Sequence, residues 1–429
     1  MQIFKYPHST IQQILSLGAE SAGNFSFFKN GQLFFSPDFG DLQEDANFKA
    51  FQKTVLAFLK KTSVTPDVII TDLHPDMNTT LWGKELAKKF KAEHVQVQHH
   101  VAHIFSQLGE LTQDTRYKTQ DTNKSQNSKL KTQNFFGIAL DGTGYGLDEK
   151  IWGGEIFKIT NLKFKISNER VGHLENQILL GGELAIQEPA RMLIAILDKI
   201  TSYKKQGTNK SQISNLKSQK NFIYNFAKKY YSAQEFEVLY NQLQQNFNCL
   251  ETSSTGRILD AVSLLLGFCD NKRTYKHEAI DLLESNSGKP YMDIKPKIEV
   301  MESPSISNLQ FTIYNEFSMT KFSKKHYILN TTYLFEYLIK NINKDKRRLA
   351  ATAQRYIAEG LSEIIELQSK SCSPQIFIAG GIANNKIISE YFENKKTGSS
   401  SRIPVVQIPR GDAGLSFGQI IYFLTNSRD

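Results

Sequence analysis

The sequence predicts an α/β fold with two lobes and a central cleft. Hairpin patterns and strand–helix alternation occur towards both ends of the chain, and a mostly helical stretch from about 184 to 370 separates them. The chain has 429 residues, of which 40% are hydrophobic. That is enough to bury one large core or two medium ones, so a two-lobed folded protein is the expected arrangement.

The first lobe begins with a hairpin pattern. Residues 25–36 read FSFFKNGQLFFS, two apolar runs divided by Asn30 and Gly31, and an Asn-Gly pair favours a two-residue turn between strands. The elements that follow are, in order, a helix in FKAFQKTVLAFLKK, a strand in VIIT (68–71), a helix near LWGKELAKKF, a strand in HVQVQ (94–98) and a helix that begins within VQHHVAH (97–103).

The second lobe begins with another strand pair. FFGIAL (135–140) predicts a buried strand, DGTGYG (141–146) a tight turn, and IWGGEIF (151–157) the returning strand. The later elements are the amphipathic helix SSTGRILDAVSLLLG (253–267), the strand QIFIA (375–379), a helix after Gly380 and Gly381, the strand VVQI (405–408) and a closing helix after Asp412-Ala413-Gly414.

We expect residues 1–134 to form the first lobe, residues 135–405 the second, and residues 406–429 to return to the first. Two polar segments, 112–134 and 201–221, have net charges of +3 and +5 and are rich in Ser, Thr, Asn, Gln and Lys. They contain TNKSQNSKLKTQ and TNKSQISNLKSQ, which agree at 9 of 12 positions. We interpret them as flexible surface insertions. They hold nearly all of the net charge of +9, which argues against nucleic acid as a partner of the framework.

The sequence also limits the cellular compartment. No run approaches the roughly 20 apolar residues that cross a bilayer, and the first residues, MQIFKYPHST, lack a signal-peptide layout. The cysteines, at positions 249, 269 and 372, are far apart and include no C-x-x-C pair. We therefore expect a cytoplasmic protein without a membrane partner, a disulfide framework or a cysteine zinc site.

The stretch VQHHVAH holds three of the nine histidines. His99 and His103 are four residues apart, so on a helix their imidazoles project from one face and could bind one metal ion, while His100 points elsewhere. Histidines on a helix surface are an equally good interpretation of this pair alone. A metal site needs a third ligand, which the histidines do not supply.

Two glycine-rich segments follow apolar strands. Asp141 is followed by Gly142, Thr143 and Gly144, where glycines let the backbone approach an anion closely. A lone Asp-Gly turn is more often structural. The segment from Gly380 to Asn385 lies between a strand and a helix, a weak signal for phosphate or ribose binding.

Three further polar residues have alternative interpretations. Arg257 and Asp260 share one helix face, which is also the arrangement of a simple intrahelical ion pair. Asp412, in PRGDAG, could be an ordinary helix N-cap.

In combination these motifs resemble one family. It is the carbamoyltransferase domain of HypF, a maturation protein of nickel–iron hydrogenases, which is related to the universal tRNA threonylcarbamoyl-adenosine synthases. The resemblance covers nearly the whole chain apart from the two insertions. The matching stretches are ILSLGAE, FGDL (39–42), TDLHPD (71–76), VQHHVAH, IALDGTGYGLDEKIWGGE, RVGHL, GGELAIQEPARM, SSTGRILDAVSLLLG, IAGGIANN and PRGDAGLSFGQ.

The resemblance implies a two-lobed actin/Hsp70-like (ASKHA) nucleotide-binding fold. It implies one divalent ion, iron or zinc, held by His99, His103 and Asp412, with magnesium as an additional candidate ion. His99, His103 and Asp141 would be the catalytic residues. The residues implied to surround carbamoyl-adenylate are Asp141, Gly142, Thr143, Gly144, Arg257, Asp260, Gly380, Gly381 and Asn385.

The implied reaction transfers a carbamoyl group from carbamoyl-adenylate, which is made from ATP, to the C-terminal cysteine of HypE. Full-length HypF carries acylphosphatase-like, zinc-finger and YrdC-like adenylating domains upstream of this one, and the present sequence begins where the transferase domain begins. We therefore expect a HypE-like acceptor protein and separate YrdC-like and acylphosphatase proteins as partners.

Two positions depart from the family pattern. Glu183 replaces the usual aspartate of a GGD motif, and His277 stands where a glycine is common near the adenosine, so a side chain there could narrow the nucleotide pocket. Alternative functions are carbamoylation of a small-molecule hydroxyl, threonylcarbamoyl transfer to tRNA, and a non-catalytic nucleotide-binding scaffold.

Overall fold

The computed structural model describes residues 1–6, 8–113, 134–162, 165–206, 216–302, 320–369, 374–395 and 408–426. The strands are β1 (Gln2–Lys5), β2 (Ile14–Ser16), β3 (Ser26–Lys29), β4 (Gln32–Phe35), β5 (Val68–Asp72), β6 (Glu93–Val97), β7 (Asn134–Tyr145), β8 (Ile151–Leu162), β9 (Lys165–Leu174), β10 (Gln177–Leu180), β11 (Cys249–Thr252), β12 (Ile298–Glu302), β13 (Thr320–Leu329) and β14 (Gln375–Ala379).

The helices are α1 (Asp45–Thr62), α2 (Asn78–Phe90), α3 (His99–Gln113), α4 (Leu184–Gln187), α5 (Pro189–Gln206), α6 (Leu216–Ala227), α7 (Ala233–Gln244), α8 (Thr255–Leu266), α9 (Glu278–Ser285), α10 (Thr331–Lys340), α11 (Lys346–Gln368), α12 (Lys386–Lys395) and α13 (Leu415–Asn426). Short 3-10 helices span Gly381–Asn384 and Asp412–Gly414.

The first sheet has the strand order β1-β4-β3-β2-β5-β6. Strands β2, β5 and β6 are parallel, and β1, β4 and β3 add an antiparallel edge. The predicted hairpin is confirmed, since Asn30 and Gly31 connect β3 to β4 with φ values of 50° and 71°, as a primed turn requires. The predicted helices and strands between residues 45 and 103 are confirmed as α1, β5, α2, β6 and α3.

The second sheet is built around β8, which pairs with β7, β9 and β11. Strand β14 is parallel to β7, and β13 is parallel to β9. The long helices α5, α8 and α11 contribute many of the apolar core residues that pack with this sheet. The predicted strand at residues 375–379 and the closing helix after Asp412 are confirmed as β14 and α13.

Helices α3 and α13 pack together between the two sheets. Their apolar side chains share one core with β5 of the first sheet and with β7 and β8 of the second. A Cβ atom on Gly418 would lie 1.9 Å from the carbonyl oxygen of Ala102, so only glycine permits this close approach of the two helices. This contact fixes the segment around Asp412 against the helix that carries His99 and His103.

The predicted tight turn at residues 141–146 is wrong. The segment Asp141–Gly146 is not a tight turn, because β7 continues through Tyr145 and the chain reverses only after Gly146. Glycine-rich segments are typical of both turns and β-bulges, and only strand pairing distinguishes the two. The predicted mostly helical middle is confirmed, and it also contains β11, β12 and β13, which are short or polar and therefore give a weak apolar pattern.

The predicted insertions are partly helical. Residues 112–113 end α3, residue 134 begins β7, and residues 201–206 and 216–221 belong to α5 and α6. Residues 114–133 and 207–215 lie outside the described residues, as do residues 405–407 of the predicted strand VVQI. Within the part of the chain that the structure describes, no helix is long and apolar enough to cross a membrane.

Candidate functional site

Four donor side chains converge at the N-terminal end of α3. His99 and His103 lie one helical turn apart, with 2% and 0% of their surface exposed. Helix α3 begins here because the side-chain oxygen of Gln98 accepts a hydrogen bond from the amide of Val101 (3.0 Å). Asp141 comes from β7 and Asp412 from the 3-10 helix before α13, so the donors belong to three distant parts of the chain.

The distances within this group are those of a metal site. The His99 Nε2 atom lies 3.1 Å from Asp141 Oδ2 and 3.5 Å from Asp412 Oδ1. The His103 Nε2 atom lies 3.5 and 3.3 Å from the same two oxygens, and one donor atom of each residue lies within 4.8 Å of every other. Four donors arranged tetrahedrally at about 2.1 Å from one ion are about 3.4 Å apart. The four residues therefore fit a single divalent ion.

The surrounding groups orient these donors. Asp72, at the end of β5, lies 2.7 Å from His99 Nδ1, so that nitrogen donates its hydrogen to the carboxylate and Nε2 keeps its lone pair for a ligand. Ser21 donates a hydrogen bond to Asp412 Oδ2. The amide of Gly142 donates to Asp141 Oδ1 at 2.7 Å. Each carboxylate thus has one oxygen held by the protein and one that faces the histidines.

His103 is the clearest sign that the group is incomplete without an ion. Both of its ring nitrogens are buried and have no hydrogen-bond partner among the described residues. Within the described part of the chain, its Nε2 makes only the long contacts with Asp141 and Asp412 given above, and an ion bound at Nε2 would replace them with a bond and recover free energy. The donor set of two imidazoles and two carboxylates is one that zinc and iron both accept.

The pKa values show that the two carboxylates are ionised. Burial would raise the pKa of Asp141, but its contacts with His103 and His99 outweigh burial and hold the pKa well below its usual range. Burial and the neighbouring Asp141 act in the same upward direction on Asp412, yet the histidines again lower its pKa. For His99, burial is outweighed by Asp72 and the other carboxylates, which raise its pKa. The pKa of His103 is also raised, since Asp141 and Asp412 outweigh its burial, so a cation that binds here would displace protons from the imidazoles.

Asp141 reaches the site because β7 carries a bulge. The pairing of β7 with β8 shifts between Leu140 and Gly144, and the extra residues turn the carboxylate out of the ladder towards α3. Gly144 allows this packing, since a Cβ there would lie 2.4 Å from His100 Cε1. Gly380, with φ of 96°, packs against Leu140 of the same strand, where a Cβ would lie 2.2 Å from the carbonyl oxygen. The structure gives these two glycines packing roles.

The residues Arg257 and Asp260, both on α8, lie against the same bulge. Ser254, the N-cap of α8, accepts from the amide of Arg257 and donates to the carbonyl oxygen of Asp141, each at 3.1 Å. Arg257 Nη2 lies 3.0 Å from Asp260 Oδ2, so the predicted ion pair exists. Thr143 is exposed at the tip of the bulge.

Gly381 lies near Asp141, and a Cβ on it would be 3.5 Å from Asp141 Oδ1. Asn385 is placed differently, because both of its amide hydrogens are used by protein acceptors, Glu284 Oε2 (2.8 Å) and Gln354 Oε1 (2.7 Å). Its Oδ1 accepts from the amide of Ile388 and begins α12. A side-chain contact of Asn385 with a nucleotide would have to displace these bonds.

Of the two departures from the family pattern, Glu183 is exposed before α4 and His277 is exposed at the N-terminus of α9. The predicted effect of His277 on a nucleotide pocket stays a prediction.

Sequence reasoning missed Asp72, Ser21 and Arg273 as members of the site. Arg273 donates a hydrogen bond to Asp260 Oδ2. Asp72 follows an apolar strand directly, a position at which polar side chains often serve a site in α/β folds, so this residue had a usable signal. Ser21 and Arg273 lie in irregular segments whose positions depend on the tertiary structure.

The comparisons with known proteins agree with the resemblance of the motifs. Residues 137–419 match the family described as carbamoyltransferase, Kae1-like domain, second subdomain, and residues 9–110 match the HypF Kae1-like domain. A probable carbamoyltransferase HypF from Methanocaldococcus jannaschii is 36% identical over 427 residues, which cover 97% of this chain and 47% of the relative. A carbamoyltransferase HypF from Synechocystis sp. is 29% identical over 282 residues, 65% of this chain and 33% of the relative.

Two solved structures resemble the whole chain. The crystal structure of HypF from T. kodakarensis is 28% identical with a TM-score of 0.74, covering 99% of this chain and 48% of that one. Full-length HypF in a phosphate- and nucleotide-bound form is 22% identical with a TM-score of 0.75, covering 99% and 49%. The present chain thus spans about half the length of these structures and of the M. jannaschii relative. The predicted α/β, ASKHA-type fold is confirmed.

Proposed function

Because the chain belongs to the HypF carbamoyltransferase family, we propose that it transfers a carbamoyl group from carbamoyl-adenylate to the C-terminal cysteine of a HypE-like acceptor in hydrogenase maturation. The observation that supports this most directly is the convergence of His99, His103, Asp141 and Asp412, because it pairs a cation site with the glycine-rich bulge of β7. In this proposal the first lobe supplies the histidines, the second supplies Asp141 and the C-terminal segment supplies Asp412.

The proposed cofactor is one iron or zinc ion held by the four donors, with magnesium accompanying ATP where the adenylate is made. An ion at this position would supply a Lewis acid that orients and polarises the adenylate end of the donor. The protein contributes the geometry: Asp72 fixes the ring of His99, and Ser21 fixes the carboxylate of Asp412.

The proposed reaction is an acyl transfer. The sulfur of the acceptor cysteine attacks the carbamoyl carbon, the bond between that carbon and the phosphate oxygen breaks, and AMP leaves with the electron pair. The thiol proton passes to solvent, since the thiolate is the nucleophile. The products are the S-carbamoyl cysteine, AMP and a proton.

We expect a separate YrdC-like protein to make the carbamoyl-adenylate, and an acylphosphatase protein to be a further partner. The experiment combines the purified chain, a YrdC-like adenylating domain, ATP, carbamoyl phosphate and a HypE protein, and it detects carbamoylation of the tail by mass spectrometry. Carbamoylation that requires the chain is the expected result. An acceptor whose C-terminal cysteine is replaced by serine is the control.

Other outcomes distinguish the alternatives. An unmodified HypE tail in the presence of verified carbamoyl-adenylate would contradict the proposal. Metal and adenylate binding without any transfer would favour a non-catalytic scaffold, and modification of a small-molecule hydroxyl or of tRNA would favour the other two transfer reactions. Transfer from ATP and carbamoyl phosphate without the added domain would contradict only the separate source of the donor.

A further inference from the structure

A buried ion pair joins β8 and β9, the two strands that follow the bulge of β7 in the chain. Glu155 of β8 is 0% exposed, and its Oε2 accepts a hydrogen bond from Arg170 Nε of β9 at 2.6 Å. The guanidinium group of Arg170 also stacks on Trp152, with 3.9 Å between its Cζ atom and the ring centroid. Neither member of this pair is one of the four metal donors or of the predicted adenylate-binding residues.

The backbone of β8 is in direct contact with the bulge. The pairing of β7 with β8 shifts between Leu140 and Gly144, so that only Gly153 of β8 lies opposite residues 141–143. A Cβ on Gly153 would lie 2.6 Å from the carbonyl oxygen of Asp141. The position of Asp141 therefore depends on where the backbone of β8 lies at this point.

The segment before α8 also contacts the bulge. The hydroxyl of Ser254 donates to the carbonyl oxygens of Asp141 and Gly142. This segment and β8 are themselves in close contact, since a Cβ on Gly154 would lie 2.6 Å from the carbonyl oxygen of Ser253. Two backbone segments, one in β8 and one before α8, thus hold the residue whose carboxylate faces the histidines.

Glu155 bonds to both of these segments. Its Oε1 accepts from the hydroxyl of Ser253 and from the backbone amides of Gly153 and Gly154, at 3.3 and 3.4 Å. Burial would raise the pKa of Glu155, but Arg170 outweighs burial and holds the pKa below its usual value. The group is therefore an ionised carboxylate, which has acceptor sites for all of these donors.

Stability alone does not account for this arrangement. Replacing a buried ion pair by well-packed apolar side chains is often neutral or stabilising. An apolar side chain could not accept hydrogen bonds from β8 and from the segment before α8 at the same time. What the pair of Glu155 and Arg170 adds is a fixed geometry between the two segments that hold the bulge.

We propose that Glu155 and Arg170 are positioning residues for the metal centre, which fix the Asp141 carboxylate where its Oδ2 faces both histidines. Glu155 acts through the backbone at Gly153 and through the segment 253–254, and Arg170 orients Glu155. In this inference neither side chain contacts the ion. The inference rests on the proposed function, because it concerns the ion that this function uses.

The test uses the full chain loaded with Co²⁺, whose visible absorption depends on the geometry of its donors. In Glu155→Gln the side chain keeps its shape, but its amide cannot accept from Arg170 and from Ser253 together. We expect a changed absorption spectrum and a fall in Co²⁺ affinity of about tenfold, measured by competition with a chelator. Arg170→Lys keeps the charge opposite Glu155 and should therefore lower the affinity by less than Arg170→Gln.

The matched control is Glu175→Gln. Glu175 is also a buried carboxylate, it pairs with Lys199 of α5 at 2.7 Å, and it accepts from the backbone amide of Thr332 of α10 at 2.7 Å. Its replacement should lower the unfolding free energy, as that of Glu155 does, while the Co²⁺ spectrum and affinity stay those of the unchanged chain. The comparison separates a positioning role from a general loss of stability.

An unchanged spectrum and affinity in Glu155→Gln, or equal changes in Glu175→Gln, would overturn the inference. If Glu155→Gln does not fold, Ser253→Ala decides, because it removes only the hydroxyl that links Glu155 to the segment before α8. Its spectrum should change, and an unchanged spectrum would overturn the inference.

The proposed function fails separately. Absence of carbamoyl transfer by the unchanged, metal-bound chain would contradict that function and leave the positioning roles of Glu155 and Arg170 standing. Failure of the unchanged chain to bind Co²⁺ would overturn the inference together with the metal site.

Discussion

His99 Nε2 and Asp141 Oδ2 lie 3.1 Å apart, although the two residues belong to a helix and to a strand of different parts of the chain. The bulge in β7 makes this contact, because it turns a strand residue towards the start of α3. Asp141 also joins the cation site to α8, since its carbonyl oxygen accepts from Ser254.

Removing one imidazole should remove the ion. The His103→Ala variant loses one of four donors in a buried site, so we expect its metal content to fall from about one ion per chain to near zero after dialysis. Elemental analysis of the purified protein is the measurement. The control is His8→Ala, which changes a histidine outside the cluster. Equal metal content in both variants would remove the site assignment.

Asp72 should increase the metal affinity through its contact with His99, without itself being a ligand. In Asp72→Asn the side chain keeps its shape but loses its charge, so His99 is a weaker and less well oriented ligand. We expect metal affinity to fall about 10- to 100-fold, measured by competition with a chelator, while the fold is retained in circular dichroism. An unchanged affinity would show that the Asp72–His99 contact is structural only.

Alanine substitutions at Gly142 and Gly381 should have a different effect from the substitution at Gly418. Gly142→Ala and Gly381→Ala should leave the unfolding free energy within about 0.5 kcal/mol of the unchanged chain but weaken AMP binding, because the methyl groups occupy ligand space. Gly418→Ala should destabilise the protein by about 3 kcal/mol or more, because its Cβ would lie 1.9 Å from the Ala102 carbonyl oxygen. Urea unfolding and calorimetry measure the two effects. A large loss of stability in Gly142→Ala would contradict this distinction.

Asn385 should matter for stability more than for the nucleotide. Its side chain starts α12 and bonds Glu284 and Gln354, so we expect Asn385→Ala to cost about 2 kcal/mol of unfolding free energy. The affinity for AMP should change less than about twofold. The opposite result, lost binding with unchanged stability, would support the sequence-based expectation that Asn385 contacts the adenylate.

Stability should decrease in mild acid. Burial lowers the pKa of His326 to about 3, with His173 and Arg170 acting in the same direction, whereas an unfolded histidine titrates near 6.5. The unfolded state therefore binds more protons below that value, and His326 alone should lower the unfolding free energy by about 2 kcal/mol on going from pH 8 to pH 5. Urea unfolding at both pH values is the measurement. His326→Gln should reduce the pH dependence, and an unaltered slope would contradict the prediction.

The sequence predicts the parts of the site that local geometry determines. The spacing of His99 and His103 places two imidazoles on one helix face wherever that helix lies, and the motif order led to Asp412 through the family resemblance. The role of Asp141 as a fourth donor could not be predicted, because a bulge and a turn have the same glycine-rich pattern. Asp72 is 27 residues from His99 in the chain, so only strand order brings the two together.

The elements of the fold that the sequence predicts are likewise those that local sequence determines. Asn30 and Gly31 determine their turn locally, and the apolar periodicity of α1, β5 and α3 is strong. The strands β12 and β13 were missed because β12 is mostly exposed and most of β13, TKFSKKH, is polar, so pairing with a neighbour is what identifies each as a strand. Arg273 illustrates the same limit for the site, since its role depends on the position of a loop relative to α8.

Ala102 and Gly418 lie in close contact where α3 and α13 pack together. This contact holds α3 against α13, so His99, His103 and Asp412 belong to one packed unit. Asp141 belongs to the second sheet. An ion bound by all four residues would therefore cross-link the two sheets in addition to serving as a Lewis acid. A chelator would remove this cross-link while the shared apolar core remains, and the thermal stability should fall as the metal occupancy falls.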